Sequence, residues 1–259
     1  MTSLSMSIRT VHEPTGFAAV ADYFSDVWQT PRSAPPLLPE TLHSLDHAGG
    51  AVHAAYDGTR LVGASVAVFG PPASKETYSM LTAAERGLGS HLKFAQRDWA
   101  LEHGARSMRW TFDPLVGRNA RFNFVKLGAE GTEYLVDFYG PMADGVNDGD
   151  ETDRLAVTWD LVEPGRDEGA GGPGDREAAP TTHAAPDGGP LARRDLSDRY
   201  VWCRVPDDIV ALRAADPELA LRWRRAVREV FTKAFADGFV ATGMSRDGWY
   251  TLIRREAAS

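Results

Sequence analysis

The segment Glu85-Arg86-Gly87-Leu88-Gly89-Ser90 stands between an apolar, strand-like run (78–82) and a long amphipathic helix that closes at Gly104. Two glycines at the mouth of a helix let the backbone pass close to a ligand. The first N–H groups of that helix have no intrahelical acceptor and carry partial positive charge, so they attract an anion. Strand, glycine turn and helix in this order suit a phosphate or diphosphate. Two well-known versions of the device fail on residue type. A P-loop needs Gly-Lys-Ser/Thr at the helix start, whereas the first lysine, Lys93, lies well inside the helix. A dinucleotide fingerprint needs a third glycine three residues after the second, and position 92 is leucine; Asp113, ending the next strand, meets only the other half of that pattern.

Other reactive side chains are sparse. Cys203 is the sole cysteine, which excludes an intrachain disulfide, a thiolate metal cage and a CxxC redox pair. It falls in the strand-like run 200–205 and reads as a buried bystander. His91 adjoins the glycine turn and reads as a solvated surface histidine, while Trp28 and Trp110 read as core. A net charge of −8 opposes nonspecific nucleic-acid binding by the whole protein. Arg222, Arg224, Arg225 and Arg228 share one helix and read as its solvated face rather than as a nucleic-acid contact. The longest apolar stretches are strand-sized, and residues 1–9 lack the basic-then-apolar pattern of a signal peptide, so no membrane contact and a cytoplasmic location are expected.

These groups need a frame to hold them. At 259 residues, 43% hydrophobic and 25% charged, the chain suffices for one substantial core or two small ones. Phe17, Val20, Phe24, Val27 and Trp28 recur at three- and four-residue spacing and predict a helix over 15–29. The proline-rich stretch 31–39 reads as a loop and 40–47 as a short helix. Runs 51–56 and 60–69, joined through Asp57-Gly58, read as a hairpin. Next come the strand 78–82, the glycine turn, and a helix with Leu88, Leu92, Ala95 and Trp99 on its inner face. Strand 107–112 ends at Asp113-Pro114, a short helix spans 118–126, and strands follow at 133–139 and 155–161.

From 163 to 194 the chain is rich in Gly, Pro, Ala, Asp and Glu with few large apolar side chains, which predicts a disordered insert. Order resumes with a strand at 200–205 and a helical turn at 207–212. A strong helix then starts with Asp216 as N-cap and Pro217 in its first turn, and it ends at Gly238, with Trp223, Val227, Val230, Phe231 and Ala234 inside. A hairpin through Asp247-Gly248 joins 239–244 to 249–254. The order is mixed β and α. The expected arrangement is a core over 1–162, the insert 163–194, and a C-terminal piece, 195–259, that completes the same domain.

The run from Tyr78 to Gly104 resembles the core motif of the GNAT acyl-coenzyme A transferases, a strand followed by Q/R-x-x-G-x-G/A and a helix. Those six positions here are Ala84, Glu85, Arg86, Gly87, Leu88 and Gly89. Both glycines match; Ala84 replaces the leading Gln/Arg and leaves Arg86 as the nearer cation. Arg118 through Gly128 is similar to the family's second motif, a short helix ending in Lys126-Leu127-Gly128. More narrowly, 92–97, 110–115, Asn119-Ala120, 138–140, 152–155 and 222–224 through Phe239 resemble a poorly characterised bacterial branch of that superfamily. Nearly the whole chain outside the insert is covered.

The resemblance implies an α/β (α+β) fold: a mixed, mostly antiparallel central sheet with flanking helices and a splayed strand pair. It implies an acyl-CoA-dependent N-acyltransferase that moves an acetyl or succinyl-like group to the amine of a small molecule, an amino acid being one candidate, by direct attack in a ternary complex. Acetyl-CoA or another acyl-CoA would be the co-substrate, with no metal. Cofactor contacts are then expected from Met80, Leu81 and Thr82, from Arg86, Gly87, Leu88, Gly89 and Ser90, and from Asn119 and Phe124. Asn119 reads slightly better as a helix cap.

In relatives a tyrosine of the second motif protonates the leaving thiolate; its position here holds Phe124. Asn123, Tyr134 and Tyr139 are the candidates to take its place, or the thiolate leaves without a protein acid. Asp113, at the carboxyl end of a central strand, is the candidate to orient or deprotonate the amine, weighed against a turn aspartate before proline. A GNAT-fold module that binds coenzyme A or another ligand without turnover is the alternative, motivated by Phe124 and Ala84. The resemblance also allows a homodimer.

Overall fold

Proline and apolar spacing set the first helices of the computed structural model, which describes residues 6–142, 150–162 and 175–255. Pro14 opens α1 (Pro14–Trp28) and Pro39 opens α2 (Pro39–His47), each at a position whose missing N–H costs nothing. A left-handed Gln29 ends α1. The hairpin expected at Asp57-Gly58 joins β2 (Ala51–Asp57) to β3 (Arg60–Phe69), with Gly58 at φ +61°. β1 (Met6–Thr10) has no counterpart in the sequence reading. Only Met6 and Ile8 give it apolar character, and its backbone ladder to β2 holds it in place as an edge strand.

The chain divides into two compact units, the boundary falling inside β5 (Ser107–Phe112) after Trp110. The first unit holds residues 6–110 and 160–162. Its strands run in the order β1-β2-β3-β4-β5, where β4 is Glu76–Ala84, and every ladder is antiparallel except the parallel β4–β5. Phe17, Val20 and Phe24 of α1 and Leu42 of α2 pack with Val52, Ala54, Ala64 and Val66 on one face. Leu92 of α3 (Gly89–Glu102) packs with Ala55 and Val62 on the other, Ala55 by strand alternation and Val62 because β3 bulges there, between Leu61 and Gly63.

In the second unit, residues 111–142, 150–159 and 175–255, the strand order is β7-β6-β11-β12-β10-β9-β8. These are β6 (Glu130–Leu135), β7 (Arg154–Asp160), β8 (Thr181–Ala184), β9 (Pro190–Arg194), β10 (Tyr200–Arg204), β11 (Phe239–Met244) and β12 (Trp249–Arg254). The helices are α4 (Gly117–Arg121), α5 (Ile209–Ala215) and α6 (Pro217–Ala236). Asp216 caps α6 by accepting from Leu219 N–H, and Trp223, Val227, Val230, Phe231 and Ala234 are buried as their spacing predicts. Both units are thus mixed α/β with mostly antiparallel strands.

Several expectations need correction. The stretch read as a disordered insert contains the β8–β9 hairpin; residues 163–174 of it lie outside the described residues. Few large apolar groups hold that hairpin. Arg193 does so instead, its Nη1 donating to the carbonyls of Arg176 (3.3 Å), Glu177 (2.8 Å) and Ala179 (3.1 Å), while β9 pairs with β10. The strand expected over 133–139 ends at Leu135, because Asp137 turns left-handed at φ +45° and the buried Asp153 accepts its N–H at 2.9 Å. The second-motif helix is α4 followed by a π-helical turn, Phe122–Lys126, closed by Leu127 N–H on Phe122 O at 3.1 Å.

Arg193→Met removes all three carbonyl contacts at once. It is expected to open 175–189 to limited proteolysis while the rest of the chain stays resistant, and an unchanged cleavage pattern would count against this account of the hairpin.

Candidate functional site

β4 carries one extra residue relative to β3. Ser79 faces Ala67 and Leu81 faces Val66, which leaves Met80 as a bulge. On its other edge β4 pairs with β5 only at Glu76–Ser107, Thr77–Met108 and Tyr78–Arg109. From Ser79 and Trp110 onward the two strands have no ladder between them. The β5-side edge of Met80, Leu81 and Thr82 therefore has no strand partner, and a wedge opens towards the glycine turn.

The turn itself is built from its ends. Glu85 N–H donates to Val62 O at 2.9 Å, and Leu88 N–H to Glu85 O at 3.0 Å. Gly87 sits at φ +91°, and a Cβ there would meet nothing within 4 Å, so conformation rather than space demands glycine. Leu88 is the N-cap of α3 and offers no side-chain cap. Among the described residues, the N–H groups of Arg86, Gly87, Gly89 and Ser90 have no acceptor, and Glu85 to Gly87 are exposed. Four donors without an acceptor at a helix start suit a diphosphate. Arg86 enters no ion pair among the described residues. Glu85, which would repel an anion, is paired to Arg60, whose hydrogen bond holds the carboxyl below its ordinary range.

Beneath this turn α3 differs from its expected face. Leu92 is buried as expected, but the other buried positions are Ser90, Lys93, Gln96 and Ala100, whereas Leu88, Ala95 and Trp99 are half-buried. Lys93 Nζ donates to Ser79 Oγ at 2.8 Å and lies 3.8 Å from the centre of the Trp110 ring. Burial lowers Lys93 to about 7. Ser79 Oγ donates to Gln96 Oε1 at 2.9 Å and stands 3.3 Å from Thr82 Oγ1. A lysine inside an amphipathic helix gives no periodic signal of its burial, so the sequence reading passed over this cluster.

The remaining candidates belong to the second unit. Asp113 Oδ1 accepts from Leu115 N–H (2.9 Å) and Arg224 Nη1 (3.1 Å), and Oδ2 from Arg224 Nη2 (3.0 Å) and Arg213 Nη2 (3.3 Å). Burial would raise its carboxyl, but the charge and hydrogen bonds of Arg224 outweigh that and hold it below the ordinary value. A carboxylate so held is a poor base, and Asp113 is corrected to a turn aspartate that anchors an ion-pair network. The same network removes the basic helix face: Arg224 also binds Asp150 at 2.7 Å, Arg225 binds Glu151 at 2.7 Å, and Arg228 binds Asp153 at 2.8 Å.

Asn119 is exposed and is no cap, since Val116 holds that position. Asn123 is buried in the π-helical turn, its carbonyl accepting Ala129 N–H at 3.0 Å. Phe124 is buried with its ring edge-on to Phe112 (6.2 Å) and Tyr250 (5.8 Å), a core position. Tyr134 is buried and gives its hydroxyl proton to Asp153 at 2.8 Å. Tyr139 is exposed, 4.7 Å from the Phe138 ring, with the Arg154 guanidinium 5.2 Å from its face. Cys203 is buried, and burial pushes its thiol up, away from nucleophilic use.

No family model and no curated protein matches the sequence. Among solved structures the chain is similar to acetyltransferases. Ard1 from Thermoplasma volcanium is 17% identical, with 61% of this chain and 99% of that one covered and a TM-score of 0.48. An acetyltransferase of the GNAT family from Streptococcus pneumoniae is 14% identical over 60% of this chain and 98% of that one, also at 0.48. The yncA protein from Salmonella typhimurium, solved with its cofactor acetyl-CoA, is 14% identical over 64% and 99%, again at 0.48. Among the described residues no helix is long and apolar enough to cross a membrane, and no three His, Cys, Asp or Glu side chains are grouped to hold a metal ion.

Two outcomes follow from the buried charges. Lys93 releases its proton near 7 when folded and near 10.5 when unfolded, so the unfolded chain binds more protons between those values and stability rises with pH across that window. Lys93→Met lacks this dependence; its calorimetric Tm advantage over the wild type is expected to be largest below about pH 7 and to shrink towards about pH 10. Arg224→Ala leaves the buried Asp113 and Asp150 with only Arg213 to share and is expected to cost about 3–5 kcal/mol in urea unfolding.

Proposed function

We propose that this protein is an acyl-CoA-dependent N-acyltransferase whose coenzyme site is the turn 86–90 with the open edge of β4. The observation that carries the proposal is the set of four unaccepted N–H groups at Arg86, Gly87, Gly89 and Ser90 beside a strand edge with no partner. A diphosphate fits the first feature, because the helix start and the left-handed Gly87 present their donors outward. The amide-bearing arm of coenzyme A fits the second, because Met80, Leu81 and Thr82 offer backbone groups that a strand would otherwise take. The exposed Arg86 adds a positive charge to the anion site.

The bound coenzyme supplies an acyl group activated as a thioester. The protein's part is to hold that thioester and an acceptor amine in reach of each other and to manage the amine proton. The acceptor is a small amine, an amino acid among the candidates, and the acyl group is acetyl or succinyl-like. Asp113 has no role as base here, since its oxygens are committed to Arg224 and Arg213.

Isothermal titration with coenzyme A, acetyl-CoA and succinyl-CoA tests the site, and absence of binding at millimolar coenzyme would defeat the proposal. Gly87→Val places a β-branched residue at positive φ, and it is expected to weaken coenzyme binding by about tenfold or more. A thiol-release assay across an amine panel then separates turnover from a module that only binds; rapid release with any amine establishes the transferase.

A further inference from the structure

The apex of the wedge holds three hydrogen-bonded side chains, all in the first unit, that binding the coenzyme does not use. Ser79 and Trp110 are the first residues of β4 and β5 beyond their last paired residues, Tyr78 and Arg109. Lys93 Nζ, 2.8 Å from Ser79 Oγ and 3.8 Å from the Trp110 ring centre, occupies the point where the strands begin to part. Ser79 Oγ in turn stands 3.3 Å from Thr82 Oγ1. Two strand residues three apart normally face opposite ways; the bulge at Met80 puts these two hydroxyls on the same face. Lys93 and Ser79 are buried and Thr82 is partly exposed, so the chain leads from a buried amine to the open part of β4.

Gln96 completes the arrangement. Its Oε1 takes the single Ser79 proton, and its buried Nε2 has no acceptor. The two ends of an amide are nearly isosteric. A half-turn of the Gln96 amide lets Nε2 donate to Ser79 Oγ and frees the Ser79 proton for Thr82.

We propose that Lys93, acting through Ser79 and Thr82, supplies the proton that the sulfur of an acyl-thioester takes up as it leaves. This rests on the assignment of the wedge to an acyl-CoA. The acceptor nitrogen forms a bond to the acyl carbon, the C–S bond breaks, and its electron pair goes to sulfur. The Thr82 hydroxyl proton passes to sulfur, the Ser79 proton to Thr82, and one Lys93 proton to Ser79, which leaves a neutral amine. The surplus proton on the acceptor nitrogen goes to solvent, and solvent reprotonates Lys93 along the same path.

Lys93 near 7 is a stronger acid than an ordinary thiol at about 8.5, so transfer towards sulfur runs downhill. Burial alone lowers it, and the charged groups on the packed elements are engaged elsewhere. Arg109 pairs with Glu76 at 3.9 Å, Glu85 pairs with Arg60, Arg9 stacks on Tyr56, and Arg97 donates to Leu161 O at 2.8 Å. His53 on β2 is kept neutral by burial, its pKa lowered to about 4. Tyr23 of α1 donates to Val62 O, Tyr78 of β4 lies in the last pair before the strands part, and His91 and Asp98 of α3 are exposed.

Lys93 acts through two hydroxyls, so its role is read from a titration. The probe is free coenzyme A, and its bound thiol is followed by thiolate ultraviolet absorbance in the wild type, Lys93→Met, Ser79→Ala and Thr82→Val. A thiol coupled to a second titrating group ionises in two steps. Two steps are expected in the wild type, one of them near 7, and a single step in each variant. Thr82→Val is nearly isosteric at a partly exposed site and keeps the test valid if the buried substitutions unfold the protein. The same single step in all folded proteins overturns the relay and leaves the acyl-CoA assignment standing. Failure of the wild type to bind coenzyme A overturns both.

Discussion

The first unit depends on one backbone constraint: β4 holds to β3 along its length with an extra residue at Met80, and it abandons β5 after Tyr78. A sheet gives up ladder hydrogen bonds only with some return, since each is worth about 0.5–1.5 kcal/mol net and an unmet buried group costs more. Here the open edge runs directly into Glu85 and the glycine turn, so the unpaired strand groups and the unpaired helix-start groups are continuous. One anionic, amide-bearing ligand can satisfy both. The bulge also decides which side chains meet, and it puts Ser79 and Thr82 together over Lys93.

The two units treat buried charge in opposite ways. In the second, arginine and carboxylate are buried as partners: Arg224 joins Asp113 to Asp150, and Arg228 joins Asp153 to Glu151. Such pairs are architectural. In the first unit Lys93 is buried beside two hydroxyl side chains, an amide and an indole, and pairs with no carboxylate among the described residues. Desolvation without a counter-charge is what brings an amine into the neutral range, where it exchanges protons readily. A carboxylate at a strand end therefore turns out to be structural, and a lysine in mid-helix turns out to be the titrating group.

Much of this was legible from residue order. The Asp57-Gly58 turn, the Asp216 and Pro217 helix start and the buried face of α6 follow from local geometry, and the glycine turn before α3 carries donors that no helix can satisfy internally. The Ala185 to Gly189 turn between β8 and β9 contains a Pro-Asp-Gly-Gly signal, yet composition alone suggested disorder because the hairpin is held by an arginine and a neighbouring strand. Composition counts apolar side chains and is blind to such anchors.

The sequence by itself determined the elements, their order and the chemistry of the turn, because those depend on contacts a few residues apart: caps, turns and the spacing of one face. Tertiary structure alone decided where β4 and β5 part, which hydroxyls share a face, and which charges are paired. Each of those depends on register between distant strands and on desolvation, and neither quantity is a property of any short stretch of chain. Asp113, expected at the reaction, is tied into an ion-pair network, and Lys93, which no sequence pattern marked, is buried beside the open edge of β4.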